Sequence, residues 1–320
     1  MIAAAPKAEL HLHLEGSIQP STVCALTARH GLRLTEAEVR SRYVYRNFNE
    51  FIEAFKWVTS YLRDPEDFAL ITKDLGEYLL TQNVVYAEVT LSVGVMLLRK
   101  QQAEAIFAAI LRAAEPFQAG GLRLKWIFDA ARQFGAAEAM RVVDAARSCA
   151  SKEIVAFGIG GDELSVPSSE FRAVYDAAAS LGLHRLIHAG EIGGPEKIRE
   201  AVELLGCERI GHGIAAIHDV ALMDVLTERR IPLEVCPTSN FRTGALDTQL
   251  RRRNTTIADH PLPRLVRHGV PVVLSTDDPA MFHTILEYEY GVAHLLGLKP
   301  SELTQIVANG HDFAFSPTRG

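Results

Sequence analysis

Eight short apolar runs rich in β-branched residues, separated by stretches of helical periodicity, restrict this 320-residue chain more than any other feature. The runs cover residues 8–14, 84–91, 122–128, 154–159, 184–188, 209–211, 231–235 and 270–275. Amphipathic stretches over 101–117, 136–150, 169–181, 195–205 and 219–229 lie between them, and 280–296 and 301–313 follow the last run. Parallel strands require crossover connections of about this length, usually helices. The alternation therefore predicts an α/β chain folded as a (β/α)8 TIM barrel. No repeat, low-complexity tract or compositional break divides the sequence, so residues 1–320 are expected to form a single domain.

The spacing is uneven once. About seventy residues separate the first two runs, which predicts a helical insertion over approximately 20–82 with room for three helices. Phe48, Phe51 and Phe55 stand there at helical spacing, close to Trp57. They either pack a helix onto the barrel body or wall a substrate pocket over its mouth.

In a parallel barrel the active site lies at the carboxyl ends of the strands, and the chemistry-bearing clusters of this sequence fall there. His11-Leu12-His13 closes the first run. Side chains alternate along a strand, so the two histidines share a face. Alone, they are either half of a metal site or a polar strand end. Gly158-Ile159-Gly160-Gly161-Asp162-Glu163 follows the fourth run, His188-Ala189-Gly190-Glu191 the fifth, and Gly211-His212-Gly213 the sixth. Cys236-Pro237-Thr238-Ser239-Asn240 follows the seventh and Ser275-Thr276-Asp277-Asp278-Pro279 the eighth. Each could be turn chemistry, but four histidines and several carboxylates at one rim call for another explanation.

Imidazole nitrogens of His11, His13 and His188 with a carboxylate oxygen of Asp277 form a donor set that suits zinc. Such a metal lowers the pKa of a bound water toward about 7. Glu191, three residues beyond His188, is placed to act as a general acid if burial raises its pKa. His212, flanked by glycines, can steer or deprotonate the attacking water. Asp278 points away from Asp277 in an extended strand end, onto a ligand.

Composition excludes other classes. A net charge of −6 with interspersed signs argues against a nucleic-acid partner. The one basic run, Arg251-Arg252-Arg253, is expected in a solvated loop. No window approaches the ~20 apolar residues of a membrane span, and the apolar residues 1–5 are too short for a signal sequence. The four cysteines, Cys24, Cys149, Cys207 and Cys236, form no CxxC pair and suit a reducing cytoplasm.

Taken in order, Pro6-Lys7-Ala8-Glu9-Leu10-His11-Leu12-His13-Leu14-Glu15-Gly16, His188-Ala189-Gly190-Glu191, Arg209-Ile210-Gly211-His212-Gly213, Cys236-Pro237-Thr238-Ser239-Asn240 and Ser275-Thr276-Asp277-Asp278-Pro279 resemble the adenosine deaminase family of the amidohydrolase superfamily. The resemblance runs from Pro6 to about Phe313. It implies one zinc per chain on His11, His13, His188 and Asp277, with Glu191 protonating purine N1 as hydroxide attacks C6. It further implies that His212 positions the hydroxide, Asp278 hydrogen-bonds N7 and the Gly161 backbone meets N3. Ammonia leaves and a 6-oxopurine remains. Two-metal relatives place a lysine at the end of the fourth strand, where this chain has Phe157-Gly158-Ile159-Gly160 and no lysine. One metal is therefore expected.

Two departures bear on the substrate. Adenosine-specific members usually carry Asp, contacting the ribose 5′-hydroxyl, where this chain has Glu15. The loop 158–163 is also compact. Together with Tyr86-Ala87-Glu88-Val89-Thr90-Leu91-Ser92, these features are similar to the branch that deaminates 6-amino-6-deoxyfutalosine in menaquinone biosynthesis. That substrate continues from the ribose 5′-carbon into a carboxyphenyl ketone. Glu15, Ser92, Phe51 and Phe55, with Gly161 and Asp278, are the expected substrate-binding residues. The alternatives are an adenosine, deoxyadenosine or adenine deaminase, an amidohydrolase opening a cyclic amide, and a non-catalytic nucleoside-binding protein. The last should have lost a metal ligand or Glu191, and this chain keeps them all.

Overall fold

The computed structural model describes residues 4–316; residues 1–3, within the apolar N-terminal run, and 317–320 lie outside the described residues. The eight expected strands are present as β1 (Lys7–His13), β2 (Val84–Leu91), β3 (Arg123–Ala131), β4 (Ile154–Gly160), β5 (His184–Ala189), β6 (Arg209–His212), β7 (Leu233–Val235) and β8 (Val272–Leu274). They pair in parallel, each with the next in sequence. A single parallel bridge, Leu12 to Asp277, brings β8 back to β1. The (β/α)8 barrel expected from the alternation is thus the observed fold.

Strand ends differ from the sequence reading for local reasons. β3 runs on to Ala131 because the polar Asp129, which ends the apolar run, pairs with Gly158 of β4. β7 and β8 begin only at Leu233 and Val272. The residues before them, Pro232 and Pro271, have no N–H for a ladder. Their carbonyls still accept from Ile210 (3.1 Å) and Leu233 (3.0 Å).

Between β1 and β2 the chain makes four helices instead of three: α1 (Pro20–Arg29), α2 (Glu36–Arg42), α3 (Phe48–Thr59) and α4 (Pro65–Thr81). The side chains of Thr35, Asn47 and Asp64 accept backbone N–H groups at the starts of α2, α3 and α4. These caps satisfy donors that a helix start otherwise leaves bare. A short helix the sequence did not announce, α5 (Val93–Leu98), follows β2. After β8, the helix expected over 280–296 is two, Pro279–Phe282 and Leu286–Leu295. The break falls at His283, whose φ of 54° is left-handed and stops a right-handed helix. Among the described residues no helix is long and apolar enough to cross a membrane.

Below the rim the barrel interior holds a charged network. Arg209, fully buried, donates to Glu88 Oε2 (2.5 Å) and Glu234 Oε1 (2.6 Å), and its guanidinium stacks 3.6 Å from the Phe315 ring centroid. Removing one partner of such a buried pair strands a charge in a medium of low dielectric constant. The other oxygen of Glu234 reaches His11 Nδ1 at 2.8 Å, so this network extends to the rim.

Candidate metal centre and active site

The Leu12–Asp277 bridge places the first and last strands' chemistry together. His13 N–H donates to the Asp277 carbonyl (2.9 Å) and Asp277 N–H to the His11 carbonyl (3.0 Å). Asp277 Oδ1 then lies 3.2 Å from His13 Nε2 and 3.4 Å from His11 Nε2. From β5, His188 brings its Nε2 within 3.3 Å of His13 Nε2. Gly211, the β6 residue paired with His188, lets the His11 ring in: a Cβ there would stand 2.8 Å from it. The ligand atoms of His11, His188, His212 and Asp277 all lie within 4.8 Å of one another. His13 stands outside that mutual quartet but against two of its members. Asp277 (φ 65°) and His212 (φ 61°) both adopt the left-handed backbone region, a strain that proteins tend to keep at functional sites.

The donors fit a divalent cation. His188 Nδ1 is buried with no hydrogen-bond partner among the described residues, and His11 Nε2, also buried, faces the Asp277 carboxylate at 3.4 Å. Burial alone would push His11 and His13 down. The carboxylate of Asp277, and for His11 also that of Glu234, accepting from the rings, outweighs it and raises them to about 10 and about 9. Burial likewise pushes Asp277 up, and its bonds to the two histidines reverse this and hold it well below the usual carboxylate range. The site thus stabilises positive charge, and imidazole nitrogen with carboxylate oxygen is a zinc donor set. Ser239 Oγ donates to Asp277 Oδ2 (2.6 Å) and Glu234 holds the far nitrogen of His11. These are the outer bonds that orient metal ligands.

A run of hydrogen bonds fixes the proton on His212. Leu262 N–H donates to His260 Nδ1 (3.1 Å). A backbone amide can only donate, so neutral His260 carries its proton on Nε2, which gives it to Asn240 Oδ1 (3.2 Å). The Asn240 amide nitrogen then faces His212 Nδ1 at 3.0 Å and donates to it. Burial pushes both histidines down to about 3, so both are neutral. His212 therefore holds its proton on Nε2, directed toward Glu191 Oε2 (3.6 Å) and Asp277 Oδ2 (3.8 Å). A protonated nitrogen has no lone pair for a metal. Replacing Asn240 by Asp presents an acceptor to Nδ1 and moves the proton there. The expected result is a fall in kcat of about 10- to 100-fold, with 15N NMR showing Nε2–H in the wild type and Nδ1–H in the variant. An Nδ1–H signal in the wild type would contradict the assignment.

Glu191 sits on a loop gathered by one carboxylate. Glu163 accepts backbone N–H groups from Gly190, Glu191 (3.2 Å), Ile192 (2.9 Å) and Gly193 (2.9 Å). Gln249 Nε2 donates to the Glu191 (2.9 Å) and Gly193 (2.8 Å) carbonyls. The Glu191 carboxyl itself takes only a long bond from Thr243 Oγ1 (3.4 Å). Burial, then the charges of Asp277 and Glu163, raise it to about 8. It is therefore mostly protonated at neutral pH, as a general acid requires.

A cavity of about 450 Å3 opens over these groups and is lined by His13, His188, Glu191, His212, Asp277 and Asp278. Gly161 and Ser92 also line it. Gly161 has a φ of 90°, and a Cβ there would strike Gln133 Oε1 at 2.4 Å. Asp278 is seated where a side chain on Gly16 would be, with Oδ1 buried and without a hydrogen-bond partner among the described residues. Phe48, Phe51 and Phe55 wall the cavity, so both sequence readings hold in part: Phe51 is buried and packs on Phe282 at 4.8 Å between ring centroids. Trp57 is not among the lining residues and packs on Tyr61. Glu15 does not line the cavity. It is buried beside it, with Oε1 accepting the Ser92 N–H (3.0 Å) and Oε2 without a partner among the described residues.

Sequence reasoning missed Asp129, Lys56, Arg99 and Gln133 as lining residues, and Glu234, Gln249 and His260 as supports. A strand of the correct length would have put Asp129 at the rim. The others become neighbours only through the fold.

Residues 6–320 match the profile of the family described as adenosine deaminase. This chain belongs to the adenosine deaminase family. The family is one of metal-dependent amidohydrolase deaminases, so the resemblance drawn from the motifs is borne out. An aminodeoxyfutalosine deaminase of Streptomyces coelicolor is 39% identical over 327 residues, covering 100% of this chain and 82% of that protein. The crystal structure of an adenine deaminase from Arthrobacter aurescens superposes with a TM-score of 0.91 at 30% identity, over 98% of this chain and 94% of that one. A zinc-bound amidohydrolase from Burkholderia ambifaria superposes with a TM-score of 0.88 at 25% identity, over 98% of this chain and 87% of that one.

Proposed function

We infer that this adenosine deaminase family member removes the 6-amino group of a purine nucleoside by hydrolysis, and that 6-amino-6-deoxyfutalosine is its favoured substrate. The observation that carries the deaminase reading is the convergence of His11, His13, His188 and Asp277 beneath a buried, protonated Glu191. The substrate reading is supported by the likeness to the Streptomyces coelicolor aminodeoxyfutalosine deaminase. The whole chain acts as one deaminase unit, and its unpaired cysteines suit the cytoplasm.

His11, His13, His188 and Asp277 would hold one zinc, because the proton on His212 Nε2 removes that nitrogen from the donor set. A cation bound there supplies Lewis acidity that makes water a nucleophile near neutral pH. Glu191 gives its proton to purine N1 as water adds at C6. His212 Nε2–H donates a hydrogen bond to the attacking oxygen and so positions it. Asp278, whose pKa is pushed up by burial and then by the charge of Asp277, hydrogen-bonds N7. The Gly161 backbone meets N3. The C6–N bond then breaks as the proton of the added hydroxyl passes to the amino group, which departs as ammonia and leaves a 6-oxopurine, while the other proton of the water restores the acid form of Glu191.

The test is a product balance on the purified, metal-loaded protein. One ammonia and one 6-oxopurine per substrate consumed, with one oxygen incorporated from labelled water, is the expected result. Ring opening of a cyclic amide without ammonia would overturn the reading.

A further inference from the structure

The cavity that holds the acidic, imidazole-rich metal site is also lined by three aromatic rings, Phe48, Phe51 and Phe55, and by two cations, Lys56 on α3 and Arg99 just after α5. We propose that these cations form an anion subsite in which the Arg99 guanidinium, assisted by Lys56, takes a carboxylate borne on an aromatic extension of the substrate's ribose. The proposal rests on the substrate reading above and deepens it by naming the residues that read the extension.

Arg99 is anchored and left with donors to spare. Nη1 donates to the Thr59 carbonyl (2.5 Å) and Nη2 to Thr59 Oγ1 (3.0 Å). A guanidinium has five N–H donors in a fixed fork, so three remain. Among the described residues no carboxylate lies within ion-pairing distance of it. Arg99 is exposed as a whole residue, yet partial desolvation of its guanidinium holds its pKa below the usual arginine value, with Glu15 pulling the other way. Lys56 pairs with Glu53 at 2.8 Å, but both side chains are mostly exposed. Such a surface pair is weak enough to yield to a ligand. The fork of Arg99 matches a carboxylate in bidentate geometry.

A phosphate is the other anion such an end would take. A phosphate on the ribose 5′-oxygen has no use for the aromatic rings that line the cavity with the cations, whereas an aryl group ending in a carboxylate uses both. The experiment compares kcat/KM for 6-amino-6-deoxyfutalosine, its carboxamide analogue, adenosine and AMP, in the wild type, Arg99→Ala and Arg99→Lys. The wild type is expected to prefer the carboxylate over the carboxamide. In Arg99→Ala that preference falls by about 10- to 100-fold, chiefly through KM, and Arg99→Lys restores part of it. The preference is a ratio within one enzyme, so a general loss of stability in Arg99→Ala cancels. Equal loss on every substrate would make Arg99 a structural staple and overturn the subsite. A wild type that prefers AMP overturns the carboxylate assignment. A wild type that turns over adenosine at least as well as the carboxylated nucleoside overturns the substrate reading itself. If the carboxylated nucleoside is preferred and Arg99→Ala keeps the full preference, the subsite alone falls.

Discussion

Replacing Glu191 by Gln is expected to lower kcat by about 100- to 10,000-fold, the range a positioned general acid contributes, while leaving metal content at the wild-type level. Gln keeps the shape and the Thr243 contact but has no proton to give. Glu191 owes its raised pKa to burial first, then to Asp277 and Glu163. The working form is the protonated one, so kcat/KM holds through neutral pH and falls as pH rises through that pKa, at about 8 or lower once a cation is bound nearby. The Gln variant should lose this alkaline limb. If it kept most of its activity with the limb intact, the proton would have to come from another group.

Replacing His188 by Ala is expected to have the second large effect, through the metal. His188 Nε2 meets His13 at 3.3 Å, and its other ring nitrogen is buried without a partner among the described residues. The variant should bind well under one metal ion per chain and lose about 1,000-fold or more in kcat, since a Lewis acid of this kind supplies several kcal/mol. Metal analysis and a thermal melt on the same sample separate loss of metal from loss of fold. Chelator treatment of the wild type should likewise abolish activity, and added zinc should restore it. A His188→Ala protein with full metal content and turnover would remove this residue from the site.

The fold was legible because hydrophobic period and strand length carry it. All eight strands were recoverable from runs that alternate with amphipathic stretches, and most boundaries moved by only a residue or two. Misreadings arose where one residue outweighed the pattern. Asp129 ended an apolar run without ending the strand, and Pro232 and Pro271 shortened strands whose side chains still read as β. His283 split a helix that periodicity made continuous, by adopting a backbone conformation no composition signals.

The candidate site was legible as far as its residues stand in short motifs at strand ends. His11, His13, His188, Glu191, His212, Asp277 and Asp278 all reach one rim because a barrel gathers its strand ends there. The supports were not legible. Glu234, His260 and Gln249 act on residues 223, 48 and 58 positions away in sequence, and only the closed barrel makes them neighbours. The same holds for Arg99, whose place at the cavity follows from Thr59, 40 residues earlier. Glu15 was singled out as a specificity position and lies one shell back, acting on the cavity through the Ser92 N–H.

The central claim is that this barrel deaminates a 6-aminopurine nucleoside extended at the ribose 5′ end. Its most direct test is kcat/KM for ammonia release from 6-amino-6-deoxyfutalosine, adenosine, deoxyadenosine and adenine, measured in parallel on one zinc-loaded preparation. The expected result is turnover of 6-amino-6-deoxyfutalosine with the highest kcat/KM of the four. An adenosine value equal to or above it would contradict the claim.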